Sequence, residues 1–200
     1  MSVNRKIILA STSPYRQQLL RQLQLPFTAV APDYEEVLDS SVAPSLLVRH
    51  LALGKAQSLA ECYPDALIIG ADQVFVDQRE RPFGKAGSLP AAFKQLRQMA
   101  GKTHCFYTGL ALIDSKRGTV QTDYATFTVS LRSLSDEQIY DYLQREKPYD
   151  CAGSFKIEGL GIALMEKMAG DDYNSLIGLP LLKLVEMLDI AGVNVLGGNG

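Results

Sequence analysis

The sequence predicts an α/β protein on a mixed sheet, with a second lobe contributed by the middle of the chain. Two patterns carry this reading. Short apolar runs first alternate with helix-spaced stretches, as in a sheet covered by helices. Two longer β-type runs around one tight turn, His104 to Asp114 and Thr119 to Leu131, then interrupt that alternation as a hairpin. No repeat, low-complexity segment or linker-like composition divides the chain, so residues 1–200 read as a single domain with two lobes.

The elements follow in order. Lys6 to Leu9 is a buried strand, and Ser13-Pro14 opens a helix through a capping hydroxyl and a residue with no N–H to lose. Leu25 to Ala31 reads as a second strand, followed by an acidic turn, Asp33 to Glu36. Pro44 opens a helix running to about Tyr63, with Leu47, Leu51, Ser58 and Leu59 near one face. Leu67 to Gly70 is a compact strand that continues into Ala71 to Val76. Ser88 to Met99 is an amphipathic helix, and Ser135 to Gln138 is a capping box that opens another. In Cys151 to Gly161, three glycines with a lysine and a glutamate suit either a glycine-kinked strand or a ligand-facing strand and loop. Ile162 to Met165 resumes a strand, and Gly170 to Asn174 is a polar loop. Gly178-Leu179-Pro180 launches a last helix, ended by Gly192, and the terminal glycines with Asn199 are expected to be loose.

Composition removes several classes of function. A net charge of −2 gives no basic field for a nucleic-acid backbone, so an anionic ligand must be met by local cations. No apolar run reaches membrane-spanning length, and the first residues lack a signal-peptide pattern. Cys62, Cys105 and Cys151 form no CxxC pair and suit reduced thiols in the cytoplasm. With only His50 and His104, a histidine-built zinc site is not expected; a metal would be a hard cation on carboxylates and substrate oxygens.

Chemistry concentrates at a few positions. Ser11, Ser13 and Arg16 bracket a strand-to-helix turn, where unpaired N–H groups and the helix dipole suit a phosphate; the same residues also suit an ordinary capped helix with a surface arginine. Asp72 is an acid inside apolar β sequence, so it must be paired, metal-bound or at a cleft. Lys55 reads most simply as a solvated helix lysine, and Gly84-Lys85 as a turn able to approach a ligand.

Taken together these residues resemble the Maf family of nucleoside triphosphate pyrophosphatases. The motifs are Ala10 to Pro14 with Arg16, Leu53 to Ala56, Ile69 to Asp72, Gly84-Lys85, Thr108-Gly109, Ala152 to Gly161 and Asn174 to Pro180. The resemblance implies an elongated two-lobed fold similar to the inosine triphosphatase group, with the active site in a central cleft. It also implies cleavage of a nucleoside triphosphate between its α and β phosphates, with a divalent metal, Mg²⁺ or Mn²⁺. Ser11, Ser13, Arg16, Lys55 and Lys85 would then hold phosphates, and Asp72 would be the proton acceptor. Glu36 would lie near the metal, with Asp72 as a second candidate ligand. A homodimer is expected on the same ground.

Three positions address the base. Relatives acting on dTTP and UTP usually carry arginine, threonine and glutamine at the positions of Tyr15, Gln73 and Glu158. This chain is similar to the subgroup that hydrolyses 7-methyl-GTP, where tryptophan is most typical at the position of Tyr15. N7-methylated guanine is cationic, which suits an aromatic face at Tyr15 and a carboxylate at Glu158. The competing expectations are a dTTP/UTP pyrophosphatase and a regulator of septum formation that acts by binding.

Overall fold

Six strands form one sheet in the order β2-β1-β3-β4-β5-β6 in a computed structural model that describes residues 5–36 and 41–197. The expected loose C-terminus, from Gly198 onward, lies outside the described residues. Strand β1 (Lys6–Ala10) leads through Ser13 into α1 (Pro14–Arg21), and β2 (Phe27–Val30) follows. Then come α2 (Pro44–Gln57), β3 (Ala66–Val76) and α3 (Leu89–Met99). The hairpin is β4 (Thr103–Asp114) and β5 (Thr119–Leu131), and α4 (Asp136–Glu146) follows it behind the Ser135–Gln138 capping box. Strand β6 (Met165–Ala169), a short α5 (Tyr173–Ile177) and α6 (Leu181–Ile190) complete the chain. The sheet is mixed: β1 pairs parallel with β2 and β3, whereas β5 and β6 are antiparallel.

The chain divides into two compact units, which the long strands β3, β4 and β5 share. The first comprises residues through Gln73, Thr108–Ala125 and Asp172 onward; the second comprises Val74–Tyr107 and Thr126–Asp171. In the first unit, strict alternation sorts the side chains onto two faces. Ile7, Leu9, Leu67, Ile69, Ala71, Leu110 and Leu112 pack with Leu19, Leu20, Leu181, Leu184 and Leu188 of α1 and α6. Ile8, Ala10, Ile68, Ala111 and Ile113 face the other way, onto Ala52 and Ala56 of α2. Two glycines on that second face permit close approach of the helix. A Cβ at Gly70 would lie 2.0 Å from the Ala52 carbonyl oxygen, and one at Gly109 would lie 2.1 Å from that of Val48. Helix α2 is therefore seated on the sheet backbone to backbone.

The second unit has an aromatic core of Phe75, Phe83, His104, Phe106 and Phe155, with Phe75 and Phe106 stacked at 4.2 Å.

Several expected elements differ from those observed. Helix α2 ends at Gln57 rather than near Tyr63, and turns follow; the Ser58 hydroxyl donates to the Lys55 carbonyl at 2.9 Å. Its buried face runs through Val48, Leu51, Ala52, Lys55 and Ala56, so Leu47 stands at the margin. Cys151 to Gly161 is neither a kinked strand nor a ligand-facing strand but a series of turns. Gly153, at φ 74°, lies against the Phe75 ring, Ser154 donates to Gln95, and the Lys156 N–H donates to the Tyr142 hydroxyl. The Tyr142 hydroxyl thus takes the place of a strand partner for the Lys156 N–H, and the segment's one β-type pairing is an isolated bridge at Ala152. Leu160–Leu164 is a 3₁₀ turn, so the strand expected from Ile162 begins only at Met165. The expected polar loop at Gly170 to Asn174 instead contains the start of α5, capped by the Asp172 side chain.

Candidate active site

The carboxyl ends of the parallel strands gather most of the chemistry of the first unit. Pairing of β1 with β3 ends at Leu9 and Ile69, so β3 runs on beyond its neighbour and Asp72 sits three residues past the last pair. The turn after β1 carries Ser11 and Ser13, and the segment after β2 carries Glu36. Open α/β sheets bind ligands at this end of their strands.

Alternation places Asp72 on the face covered by α2, two residues beyond Gly70. Helical spacing puts Ala52, Lys55 and Ala56 on the surface of α2 that meets this face. Lys55 and Asp72 are 7% and 5% exposed, and the Lys55 ammonium lies 2.5 Å from Asp72 Oδ1. The same ammonium lies 2.5 Å from Glu36 Oε1, whose side chain is about half exposed. Lys55 is thus not a solvated helix lysine but the cation between a buried carboxylate and a surface one. Burial pushes the Asp72 carboxyl above its ordinary range, and the Lys55 and Arg16 charges pull it back.

Tyr34, two residues before Glu36, packs on the same helix. Its ring lies over Gly54 in α2, where a Cβ would come within 2.3 Å of the ring carbon Cε2. Only a residue without a side chain leaves space for the ring beside Lys55.

At the start of α1, the Ser13 hydroxyl accepts from the Arg16 N–H at 3.4 Å and the Ser11 hydroxyl accepts from the Ser13 N–H at 3.1 Å. The expected cap is therefore present, and a hydroxyl that accepts an N–H still has its own proton to donate. Arg16 is half-buried and its Nε donates to the Gly178 carbonyl at 2.9 Å. Burial lowers its affinity for its proton, while the charges of Asp72 and Glu36 oppose that effect. Tyr15, one residue earlier, is 40% exposed.

Gln73 points to the opposite face from Asp72. Its Nε2 donates to Thr108 Oγ1 and to the carbonyls of Ser175 and Leu176, at 2.9, 2.9 and 3.1 Å. Three oxygens around one atom identify it as the amide nitrogen. Lys85 and Glu158 belong to the second unit, and both are exposed. Lys85 forms an isolated antiparallel bridge with Ala152, at the start of the turn segment that carries Glu158. The structure therefore joins Glu36, Lys55 and Asp72 directly, with Arg16 in their field. Ser11, Ser13, Tyr15 and Gln73 lie in the same unit, and Lys85 and Glu158 in the other.

Residue-level reading missed the Tyr34–Gly54 contact, the Gly178 carbonyl and the Thr108 hydroxyl as parts of this site. The available signal was their inclusion in, or adjacency to, motif segments; the contacts themselves are long-range.

The chain is similar to several known proteins. A 7-methyl-GTP pyrophosphatase from Syntrophotalea carbinolica is 62% identical over 191 residues, covering 96% of this chain and 97% of the relative. One from Polaromonas sp. is 45% identical over 197 residues, covering 98% and 90%. Among solved structures, a HAM1 protein from Coxiella burnetii superposes with a TM-score of 0.55 at 14% identity, over 93% of this chain and 99% of that one. The Staphylococcus aureus Ham1 protein gives 0.51 at 9% identity, over 94% and 100%. These two share the fold, as the family resemblance implies. The family model described as Maf-like protein matches residues 6–191, from the first strand through the last helix and across every site segment above, so the chain belongs to the Maf-like family.

Proposed function

We propose that this protein hydrolyses 7-methyl-GTP to 7-methyl-GMP and pyrophosphate, and so keeps a modified nucleotide out of nucleic acid synthesis. The observation that carries the chemistry is the buried Asp72 carboxylate in β3, beyond the last residue paired with β1, held through one oxygen by Lys55. The relatives named for that activity, at 62% and 45% identity, support the substrate.

In this reading Asp72 accepts a proton from the water that attacks phosphorus. Lys55 engages Oδ1, and the second oxygen has the lone pairs that the water proton needs. A carboxyl raised by burial is a stronger base than a solvated one. Ser11, Ser13 and the Arg16 guanidinium hold phosphate oxygens at the start of α1, and Lys55 and Lys85 offset charge on the leaving pyrophosphate. Glu36 and Asp72 are the residues that would hold Mg²⁺ or Mn²⁺. Among the described residues no group of three or more His, Cys, Asp or Glu is placed to hold a metal. Two carboxylates fit a hard cation that takes its other ligands from phosphate and water, and that when bound would screen the triphosphate charge.

For the base, Tyr15 offers a π face to the cationic ring, and Glu158 accepts from the guanine N1–H and amino group. Gln73 completes the triad of base-selecting positions. We assign the activity to the cytoplasm, consistent with free Cys62, Cys105 and Cys151, and to a homodimer on the family resemblance alone.

Product analysis tests the reaction. Incubation with 7-methyl-GTP and Mg²⁺ is expected to give equal amounts of monophosphate and pyrophosphate, and a chelator is expected to stop it. Orthophosphate with a diphosphate would place the cut at the other bond and remove this reading.

The Tyr34 contact adds a second expected result. Gly54→Ala should keep or raise the melting temperature, since alanine favours a helix interior by about 1 kcal/mol over glycine. It should nevertheless lower kcat/KM by about tenfold, a size typical of one lost charge-assisted contact, because the added methyl displaces Tyr34 and with it Glu36. Unchanged kinetics would show that Glu36 reaches Lys55 without that ring.

A further inference from the structure

We infer that Thr108 is a positioning residue for the phosphate-binding arginine, acting through a hydrogen-bonded brace on the α5 turn. This inference rests on the pyrophosphatase reading and deepens it.

Thr108 is fully buried in β4, on the sheet face opposite Asp72, and its hydroxyl has a partner on each side. Oγ1 donates to the Ser175 carbonyl at 2.8 Å and accepts from Gln73 Nε2 at 2.9 Å. Gln73 also reaches the carbonyls of Ser175 and Leu176. Two sheet residues thus hold two successive carbonyls of α5. At five residues this helix is too short to persist without such support.

The other end of the turn is fastened as well. Asp172 is 7% exposed; its Oδ1 accepts from the Asn174 N–H and side-chain amide, each at 2.8 Å, and its Oδ2 accepts from the Leu182 N–H at 2.9 Å. The chain leaves α5 through Gly178 at φ 129°, which directs the Gly178 carbonyl to Arg16 Nε.

That last bond sets the function of the brace. A guanidinium is planar, so a fixed acceptor on Nε restricts the plane in which its two terminal nitrogens lie. Those nitrogens are the fork for phosphate. Thr108 touches none of Glu36, Lys55 or Asp72 in the hydrogen bonds and ion pairs above; its influence passes through Ser175, Gly178 and Arg16. The brace also assigns a role to the Thr108-Gly109 and Asn174 to Pro180 motifs, which the catalytic cluster does not use.

The test is steady-state kinetics of Thr108→Val, Thr108→Ser and Arg16→Lys, with Thr108→Val repeated in the Arg16→Lys background. Thr108→Val removes the hydroxyl at nearly constant volume. It should raise KM for 7-methyl-GTP and for GTP by the same factor, about tenfold, with kcat within about twofold, as expected for lost ground-state positioning. Thr108→Ser should restore most of the affinity. In the Arg16→Lys background, Thr108→Val should cost less than about twofold further, since lysine has no Nε–H for Gly178 to hold. A tenfold penalty that persists in that background would overturn the brace, as would an unchanged KM or a changed ratio between the two nucleotides. If Thr108→Val does not fold, Thr108→Ala, which removes the same hydroxyl, carries the same comparison. A wild type that turns over no nucleoside triphosphate would instead remove the underlying activity.

Discussion

Asp72→Asn should lower kcat for 7-methyl-GTP by about 10²–10⁴-fold, the contribution usual for a positioned general base. The substitution keeps the shape and an oxygen that accepts from Lys55, so the ammonium retains two partners, the introduced amide oxygen and Glu36, in place of a vacant cavity. KM should change far less than kcat, because the lost step is proton acceptance rather than phosphate binding. Circular dichroism and pyrophosphate release on one preparation would separate a chemical defect from a folding one. A loss confined to KM would make Asp72 a binding group, and the base would have to be sought elsewhere.

Lys55→Met should be nearly as damaging and should also move the pH profile. Burial raises the Asp72 carboxyl, and Lys55 is the largest influence holding it down. Removing that cation raises it further. The base works only when deprotonated, so activity falls as pH drops through its pKa, and the acid limb of the kcat/KM profile should move to higher pH in the variant. The same sign applies to stability. A carboxyl whose folded pKa lies above its unfolded value contributes stability at low pH that is lost as pH rises through the folded pKa. Lys55→Met should therefore be more destabilised at pH 8 than at pH 5, since only at the higher pH must Asp72 be charged without its partner. Loss of activity by about 10²–10³-fold at neutral pH is expected, the range for removing a preorganised charge from a reacting centre. An unmoved acid limb would mean that Lys55 does not control the titrating group.

Much of this site was legible in the sequence, and the reasons differ by residue. Asp72 stood out because an acid inside a run as apolar as Leu67 to Val76 must be compensated, and period-two alternation assigns it a face. The Ser13-Pro14 cap is a local signal and survived intact. Lys55 did not declare itself, because helical spacing cannot distinguish a solvated lysine from one paired with a residue seventeen positions on. The resemblance, not the periodicity, placed it in the site. Helix α5 escaped because five residues are fewer than two helical turns, too short for a period to show. The glycines of Cys151 to Gly161 signalled close approach, and what approaches at Gly153 is the Phe75 ring of the protein itself. Gly70 and Gly109 carry the same lesson: their packing against α2 decides where Lys55 lies, yet nothing near them in the chain announces that helix.

The central claim is that this site cleaves a triphosphate carrying a cationic base, and a competition experiment addresses it most directly. 7-Methyl-GTP, GTP, dTTP and UTP would be offered together at equal concentration with Mg²⁺, and each monophosphate quantified over the first few per cent of turnover. The account predicts that 7-methyl-GMP predominates, and that Tyr15→Ala reduces its excess over GMP by about three- to thirtyfold, the range of a cation–π contact. Predominance of dTMP or UMP would contradict the assignment of the base-selecting residues Tyr15, Gln73 and Glu158.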